Sequence, residues 1–279
     1  MKIVVSADST CDMPAELVEK HKINIMPIIV TLGEDEYHDG KDITTTQLYE
    51  YIETTGNLAK TAAVSQYEYK EYFENLLKEA DHVIHLSLSY KLSATGNNAK
   101  NAAEEIGVDK VTAIDTMSLS SGSGLLVLAT VEKIAEGKDP QTIKAEIQEM
   151  APKIQASFLV DTLKYLHKGG RCSSLALLGA NILKIKPRIS LVNGEMKMTK
   201  KYMGNIESSL IKYVRDVLDE CPPNKDRVFV TCSSEMAIQQ KIADSLKEQG
   251  FKEVILARAG CTVSTHCGKN TLGILYVKQ

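Results

Sequence analysis

The sequence predicts an α/β protein of two domains: an α/β/α N-terminal domain built on a parallel sheet, residues 1–153, and a smaller mixed-sheet α/β domain, residues 154–279. Short strand-like runs alternate with helical runs as far as residue 149, which is typical of a parallel sheet covered on both faces. After Pro152 the pattern changes, and Asn193-Gly194 gives a strong hairpin signal. A chain of 279 residues also corresponds to one or two domains at ~150 residues each.

The first half contains short apolar runs separated by helical patterns. Pro14 stands where the first turn of a helix is expected, because its missing N–H is not needed there. A polar segment containing glycine, 33–42, predicts a connection. The predicted strands are 2–7, 25–32, 82–88 and 111–116, and the predicted helices are 15–22, 44–53, 67–79, 97–106, 125–135 and 141–149.

The second half mixes a hairpin with α/β units, so it predicts a mixed sheet. Gly169-Gly170 closes a short predicted helix, and the hairpin spans 189–199. The Ala-rich helix predicted at 173–183 is a candidate lining for an apolar tunnel, with ordinary core as the alternative. The other predicted strands are 156–160, 227–231, 254–257 and 272–277, and the other predicted helices are 162–168, 205–220 and 235–249.

Composition excludes several classes of protein. Lys and Arg number 33 against 36 Asp and Glu, and a net charge of −3 argues against a protein built mainly to bind nucleic acid. No apolar run approaches the ~20 residues of a membrane span. With no signal-peptide pattern at the start, we expect a cytoplasmic protein.

The cysteines predict neither disulfides nor a metal site. Six are scattered through the chain without C-x-x-C spacing, as expected of reduced, buried thiols. Cys261, His266 and Cys267 are too few and wrongly spaced for a structural zinc site. We therefore expect no metal and no cofactor.

The familiar phosphate-binding motifs are incomplete. Gly122-Ser123-Gly124 opens a predicted helix after a strand, but Val127 stands where a dinucleotide fingerprint needs its third glycine. Gly268-Lys269 is followed by Asn270 instead of Ser or Thr, so it is not a P-loop. The sequence thus provides no recognisable ATP site.

Polar residues cluster instead at the carboxyl ends of predicted strands, where open α/β sheets bind ligands. Such hydroxyls and the backbone N–H groups beside them can bind an anion, although Ser and Thr at these junctions usually cap the following helix. The residues are Asp8, Ser9, Thr10, Thr61, Ser87, Ser89, Ser93, Asp115, Thr116, Ser118, Ser120 and Ser121.

Seven segments, in order along the whole chain, resemble those of the bacterial DegV family. ADSTCD is similar to the opening T-D-S-x-x-D motif, and LKYLHKGGRCS closely resembles the L-x-x-L-x-x-G-G-R-I-S signature. The matching segments are 7–12, 60–65, 86–95, 115–126, 163–173, 183–187 and 260–268.

This resemblance implies a protein that binds one long-chain fatty acid, such as palmitate, between its domains. It implies that Thr61 and Ser93 hold the carboxylate, with His266 nearby. Some family members present the acid to a kinase subunit resembling dihydroxyacetone kinase, which makes an acyl phosphate from ATP. The binding protein itself is then no enzyme, in agreement with the absent P-loop.

Four residues depart from the family pattern. Ala62 and Ala63 replace a Ser-Gln pair after Thr61, and Ala94 replaces the glycine after Ser93. Tyr202 stands where kinase-associated members tend to carry arginine. We expect the first three to alter the surroundings of the head group and the last to affect partner docking.

A basic stretch predicts the docking surface. Between Lys164 and Lys201 the only acidic residue is Glu195. A solvated basic face is the usual meaning of such a run, but it also suits an acidic kinase subunit. The residues expected to contact that subunit are Lys168, Arg171 and Lys201.

The alternative function is a serine hydrolase acting on acyl esters. Ser93 would be the nucleophile, His266 the base, and an aspartate such as Asp8 the third member. The segment KLSAT lacks the G-x-S-x-G elbow that such a nucleophile needs, which favours fatty-acid binding.

Overall fold

The computed structural model describes residues 1–171 and 185–279, and its first half is built on a four-stranded parallel sheet. Its strands are β1 (Ile3–Asp8), β2 (Asn24–Met26), β6 (His82–Ser87) and β7 (Val111–Asp115). Their order in the sheet is β2-β1-β6-β7, with every neighbouring pair parallel. The predicted parallel sheet is therefore confirmed.

Helices cover both faces of this sheet. On one face, Tyr69 and Phe73 pack with Val83. On the other, Leu126 packs with Ile84. The helices of this half are α1 (Ala15–Lys20), α2 (Thr45–Thr55), α3 (Gln66–Leu77), α4 (Ala94–Ile106), α5 (Ser121–Ala135) and α6 (Pro140–Met150), with a 3₁₀ turn at Ser9–Cys11 and another at Ala151–Lys153.

A small antiparallel sheet was not predicted. The single strand expected at 25–32 is wrong: Pro27 separates β2 from β3 (Ile29–Leu32), which belongs to the second sheet. The expected connection at 33–42 contains β4 (Asp35–His38), which pairs with β3 after a turn at Gly33, where φ is +67°. Thr61 lies within the third strand, β5 (Lys60–Ala62), instead of following a strand end.

The second half is built on a six-stranded sheet. Its strands are β8 (Ile154–Leu159), β9 (Ile185–Val192), β10 (Glu195–Met203), β11 (Pro223–Cys232), β12 (Glu253–Arg258) and β13 (Leu272–Lys278). They lie in the order β10-β9-β8-β13-β11-β12, and only β11 and β12 pair in parallel, so the predicted mixed sheet is confirmed. The hairpin turns at Asn193-Gly194, both with positive φ, as expected.

One helix in this half was not predicted, and one predicted helix is not covered. The residues around His266, for which no helix was predicted, form a short helix, Cys261–Cys267. The helix predicted at 173–183 lies outside the described residues. The described helices are α7 (Lys164–Gly169), α8 (Ile206–Glu220), α9 (Ile238–Glu248) and α10 (Cys261–Cys267). None of the described helices combines the length and apolarity needed to cross a membrane.

The two faces of the six-stranded sheet have different partners. Tyr213 of α8 and Ile242 of α9 pack with Ile274 on one face. On the other, Leu275 belongs to the same apolar cluster as Leu125 of α5. The two halves therefore share part of their core, and the proposed division at 153/154 falls just before β8.

Candidate functional site

A cavity of about 530 Å³ lies where the parallel sheet, the small antiparallel sheet and the second half meet. Its size falls within the range of small-molecule sites. The lining includes Thr61 of β5, Ser93 at the start of α4, and His266 of α10. The structure thus places the three residues expected to hold a carboxylate around one cavity.

Thr61 and His266 form a hydrogen-bonded pair although they are 205 positions apart. Thr61 Oγ1 lies 2.9 Å from His266 Nε2. Burial, assisted by the nearby Arg171 charge, lowers the pKa of His266 to about 4. The imidazole is therefore neutral near pH 7 and has one N–H to donate.

Acidic side chains of the first half hold the N-terminus of α10. Asp39 accepts the backbone N–H of Cys261 at 2.7 Å and that of Thr262 at 3.1 Å. Asp12 accepts the N–H of Gly260 at 2.8 Å, and burial raises the pKa of Asp12 to about 8. These bonds satisfy donors that a helix leaves free, so they fix α10, and with it His266, against the first half. No pattern in the sequence pointed to Asp39, which lies in the segment expected to be a connection.

A glycine permits the approach of the imidazole to α7. A Cβ on Gly169 would lie 2.5 Å from His266 Nδ1, closer than any real contact allows. Within the described chain Nδ1 has no hydrogen-bond partner. Gly169, from the Gly-Gly-Arg motif, therefore has a steric role at the site.

Ser93 both caps a helix and lines the cavity. Its Oγ accepts the N–H of Thr95 at 3.2 Å and donates to Thr95 Oγ1 at 3.0 Å. It is the N-cap of α4, which is the capping role that the sequence offered as an alternative. Since Ser93 also faces the cavity, the two roles coexist.

Two buried hydroxyls of the lining have unused hydrogen-bonding capacity. Thr10 is 2% exposed and Thr262 is 7% exposed. Neither Oγ1 has a partner among residues 1–171 and 185–279. Thr10 belongs to a strand-end group noted in the sequence, whereas nothing in the sequence singled out Thr262.

Apolar side chains complete the lining. Leu119, Phe158, Leu166 and Met196 belong to one buried cluster and all face the cavity. Val263 of α10 packs against the same cluster. The cavity therefore has the lining that an amphipathic ligand needs: a few polar groups and an extensive apolar wall.

A family model described as "Uncharacterised protein, DegV family" matches residues 2–279. The chain belongs to the DegV family. A DegV domain-containing protein of Caldanaerobacter subterraneus subsp. tengcongensis is 28% identical, with 100% of this chain and 99% of that protein aligned.

Solved structures of DegV proteins have the same fold. One from Thermus thermophilus, described by its fatty acid binding, has a TM-score of 0.89 at 26% identity, with 100% of both chains covered. DegV from Bacillus subtilis, described as a fatty acid binding protein, has a TM-score of 0.87 at 27% identity, also over 100% of both chains. The family and fold predicted from the sequence are therefore confirmed.

In this DegV family chain the residues predicted for docking lie in different settings. Lys168 of α7 and Lys201 of β10 are exposed. Arg171 is also exposed but lines the cavity, where its charge acts on His266. Tyr202 is only 5% exposed and packs in the core under α8, so its side chain is not presented to a partner.

Part of the basic stretch is neutralised by acids from elsewhere in the chain. Lys186 pairs with Asp161, and Arg188 Nη2 lies 2.7 Å from Glu220 Oε2. Lys200 contacts Asp216 and Glu220 at 2.8 and 2.9 Å. Lys184 lies outside the described residues. The concentration of positive charge seen in the sequence is thus smaller on the folded surface.

The hydrolase triad does not form among the described residues. Asp8 accepts hydrogen bonds from the Tyr69 hydroxyl and the Leu88 N–H, and it lies 3.2 Å from His85 Nε2. His266 is paired with Thr61, and Ser93 bonds with Thr95. The three proposed triad members therefore belong to three separate groups.

The described residues contain no cluster of three or more side chains able to hold a metal ion. Cys261 Sγ contacts the Ile43 carbonyl at 3.8 Å, and Cys267 Sγ contacts the Gly268 carbonyl at 3.7 Å. The cysteines flanking His266 on α10 thus face backbone oxygens.

Proposed function

We propose that this DegV family protein binds one long-chain fatty acid in the cavity, with the carboxylate at Thr61, Ser93 and His266. The observation that carries the proposal is the Thr61–His266 hydrogen bond in the lining of a mainly apolar cavity of about 530 Å³. The T. thermophilus and B. subtilis relatives described as fatty-acid-binding support the same ligand class.

The histidine orients the threonine proton towards the ligand. His266 is neutral and its Nδ1 has no described acceptor, so we place the proton on Nε2. Nε2–H then donates to Thr61 Oγ1, which leaves the Thr61 O–H free to donate to a carboxylate oxygen. The Ser93 hydroxyl supplies the second donor after rotating away from Thr95.

The tail supplies most of the binding free energy. Burying a chain of palmitate length at ~0.8 kcal/mol per methylene contributes roughly 12 kcal/mol before the costs of association. The head group then requires orientation and satisfied hydrogen bonds, without a fully paired cation. Such a site retains the acid while leaving its carboxylate chemically available.

The first test removes the head-group hydroxyls. A hydrogen bond to a charged group contributes ~1.5–3 kcal/mol, so Thr61→Val or Ser93→Ala should weaken palmitate binding tenfold or more. The matched control is Thr112→Val, because Thr112 Oγ1 also pairs with a histidine, His82, but lies outside the cavity. Titration with palmitate should show wild-type affinity for the control. Wild-type affinity in both site variants would contradict the assignment.

We further propose that the bound acid is presented to a fatty acid kinase subunit resembling dihydroxyacetone kinase. In that reaction a carboxylate oxygen attacks the γ-phosphorus of ATP and the bond to ADP breaks, giving an acyl phosphate. This chain would contribute the bound acid and no ATP site, in keeping with its lack of a recognisable phosphate loop. Exposed Lys168 and Lys201, together with Arg171 at the cavity, are the proposed contacts.

The docking test avoids Arg171, because that residue lines the cavity. Lys168→Glu combined with Lys201→Glu should suppress acyl-phosphate formation in a reconstituted mixture while palmitate affinity is unchanged. Lys100→Glu with Lys144→Glu, on α4 and α6, is the control for added negative charge. Full phosphate transfer by the Lys168/Lys201 variant at physiological salt would refute this docking surface.

A further inference from the structure

A second, smaller void lies directly behind the apolar wall of the cavity. It has a volume of about 30 Å³ and is lined mostly by carbon. Leu119, Phe158, Val263 and Cys267 line both the void and the main cavity. A single layer of side chains therefore separates the two spaces.

The void lies against the backbone of β13 at Gly273, which is directly opposite Phe158 of β8. A Cβ on Gly273 would lie 2.7 Å from the Ser157 carbonyl oxygen and 3.2 Å from Phe158 Cβ, so glycine is required for this close approach of β13 to β8. Ala156 and Ala259, both small, also line the void. Phe158 is therefore the largest side chain among the residues that line both the void and the main cavity.

The hydroxyl groups around the void are already hydrogen-bonded. Ser233 Oγ donates to the Gly268 carbonyl at 2.6 Å, and Thr271 Oγ1 donates to the Cys267 carbonyl at 3.0 Å. Ser120 Oγ donates to Asp12 at 2.5 Å. Since their hydrogen-bonding capacity is used, this space offers little to water and suits an apolar group.

We propose that Phe158 sets the depth of the acyl cavity, and that the void over Gly273 receives the end of a longer chain when the Phe158 ring turns aside. This inference rests on the proposed fatty-acid binding. It assigns Phe158 as a specificity-determining residue for chain length. The void alone has room for about one water-sized group, so the wild-type protein should discriminate against chains much longer than its optimum.

The test compares affinities for palmitate and arachidate, which differ by four methylenes. Phe158→Ala joins the void to the cavity, so the arachidate-to-palmitate affinity ratio should rise by about fourfold for each methylene newly buried. Adding Leu275→Phe refills the space and should return the ratio towards the wild-type value. Phe251→Ala is the control, because Phe251 is buried against Tyr276 and lines neither space.

A second variant keeps the inference testable should Phe158→Ala fail to fold. Leu275→Phe alone fills the void, so arachidate affinity should fall while palmitate affinity is retained. The role of Phe158 would be overturned if Phe158→Ala had the arachidate-to-palmitate affinity ratio of the wild type, or if Leu275→Phe bound arachidate as tightly as the wild type does. Neither result would contradict the proposed binding of a fatty acid. A wild-type protein that binds neither acid would overturn both proposals together.

Discussion

Two threonine–histidine pairs in this molecule have similar lengths but different surroundings. His82 Nε2 lies 2.8 Å from Thr112 Oγ1, and His266 Nε2 lies 2.9 Å from Thr61 Oγ1. The first pair is enclosed in the parallel sheet, whereas the second lines a cavity. Burial lowers the pKa of both imidazoles.

The second ring nitrogen distinguishes the pairs. His82 Nδ1 lies 2.9 Å from the Asp109 carbonyl, which requires the proton on Nδ1. His82 Nε2 must then accept the Thr112 hydroxyl proton, so neither residue has a proton left to donate to a ligand. His266 Nδ1 has no such acceptor in the described chain, so its proton on Nε2 leaves the Thr61 hydroxyl proton free. Unused hydrogen-bonding capacity beside a cavity, and not the residue pair itself, is therefore what indicates a ligand site.

Replacing His82 with alanine should affect mainly stability, whereas replacing His266 with alanine should affect mainly palmitate binding. His82→Ala leaves the Asp109 carbonyl without its partner and should lower the free energy of unfolding by about 2–3 kcal/mol, with palmitate affinity unchanged. His266→Ala should reduce palmitate affinity tenfold or more, with a melting temperature close to the wild-type value. Thermal melts and palmitate titrations of both variants provide the comparison. A large stability loss in His266→Ala with normal binding by the folded fraction would make His266 structural.

The pH dependence of the free energy of unfolding should reveal that the buried His266 is neutral in the folded protein. Its folded pKa, about 4, lies below the ordinary value of 6.5, so the unfolded state binds the proton first as pH falls. Wild type should therefore lose on the order of 2–3 kcal/mol relative to His266→Gln between pH 7 and pH 4. Denaturant unfolding at several pH values measures this difference, and the comparison with the variant cancels the titration of His82 and Asp12. If the free energy of unfolding changed equally with pH in the two proteins, His266 would not be held neutral in the folded state.

Adjacent glycines provide a smaller, steric test of the same pair. Gly169→Ala places a methyl against His266 Nδ1, which should weaken palmitate binding by about tenfold. Gly170→Ala meets no neighbour within 4 Å but requires φ near +67°, so it should cost ~1–2 kcal/mol of stability and leave binding unchanged. Equal palmitate affinities in the two variants would contradict a steric role for Gly169.

The sequence predicted the two kinds of sheet because periodicity and turn signals are local. Alternating strands and helices indicated the parallel sheet, and Asn193-Gly194 indicated the hairpin. The break at Pro27 was missed because an apolar run does not reveal which sheet each part joins. The helix α10 was missed because two acids distant in the chain, Asp12 and Asp39, complete its N-terminus.

The candidate site depended on non-local information. Thr61, Ser93 and His266 were singled out through the resemblance to a family, whereas composition alone favoured helix capping for any one hydroxyl. The contact between Thr61 and His266 spans 205 positions, and no local pattern encodes it. The ion pairs of Lys186 and Arg188 likewise use acids outside the basic stretch, so charge along the sequence overstated charge on the surface.

Native mass spectrometry of the protein incubated with palmitate tests the central claim most directly. We expect one palmitate per wild-type chain, released when the protein is denatured, and much lower occupancy of Thr61→Val at the same palmitate concentration. Thr112→Val should match wild type. A wild-type chain that stays at its bare mass, or an acyl adduct that survives denaturation, would contradict non-covalent fatty-acid binding at this site.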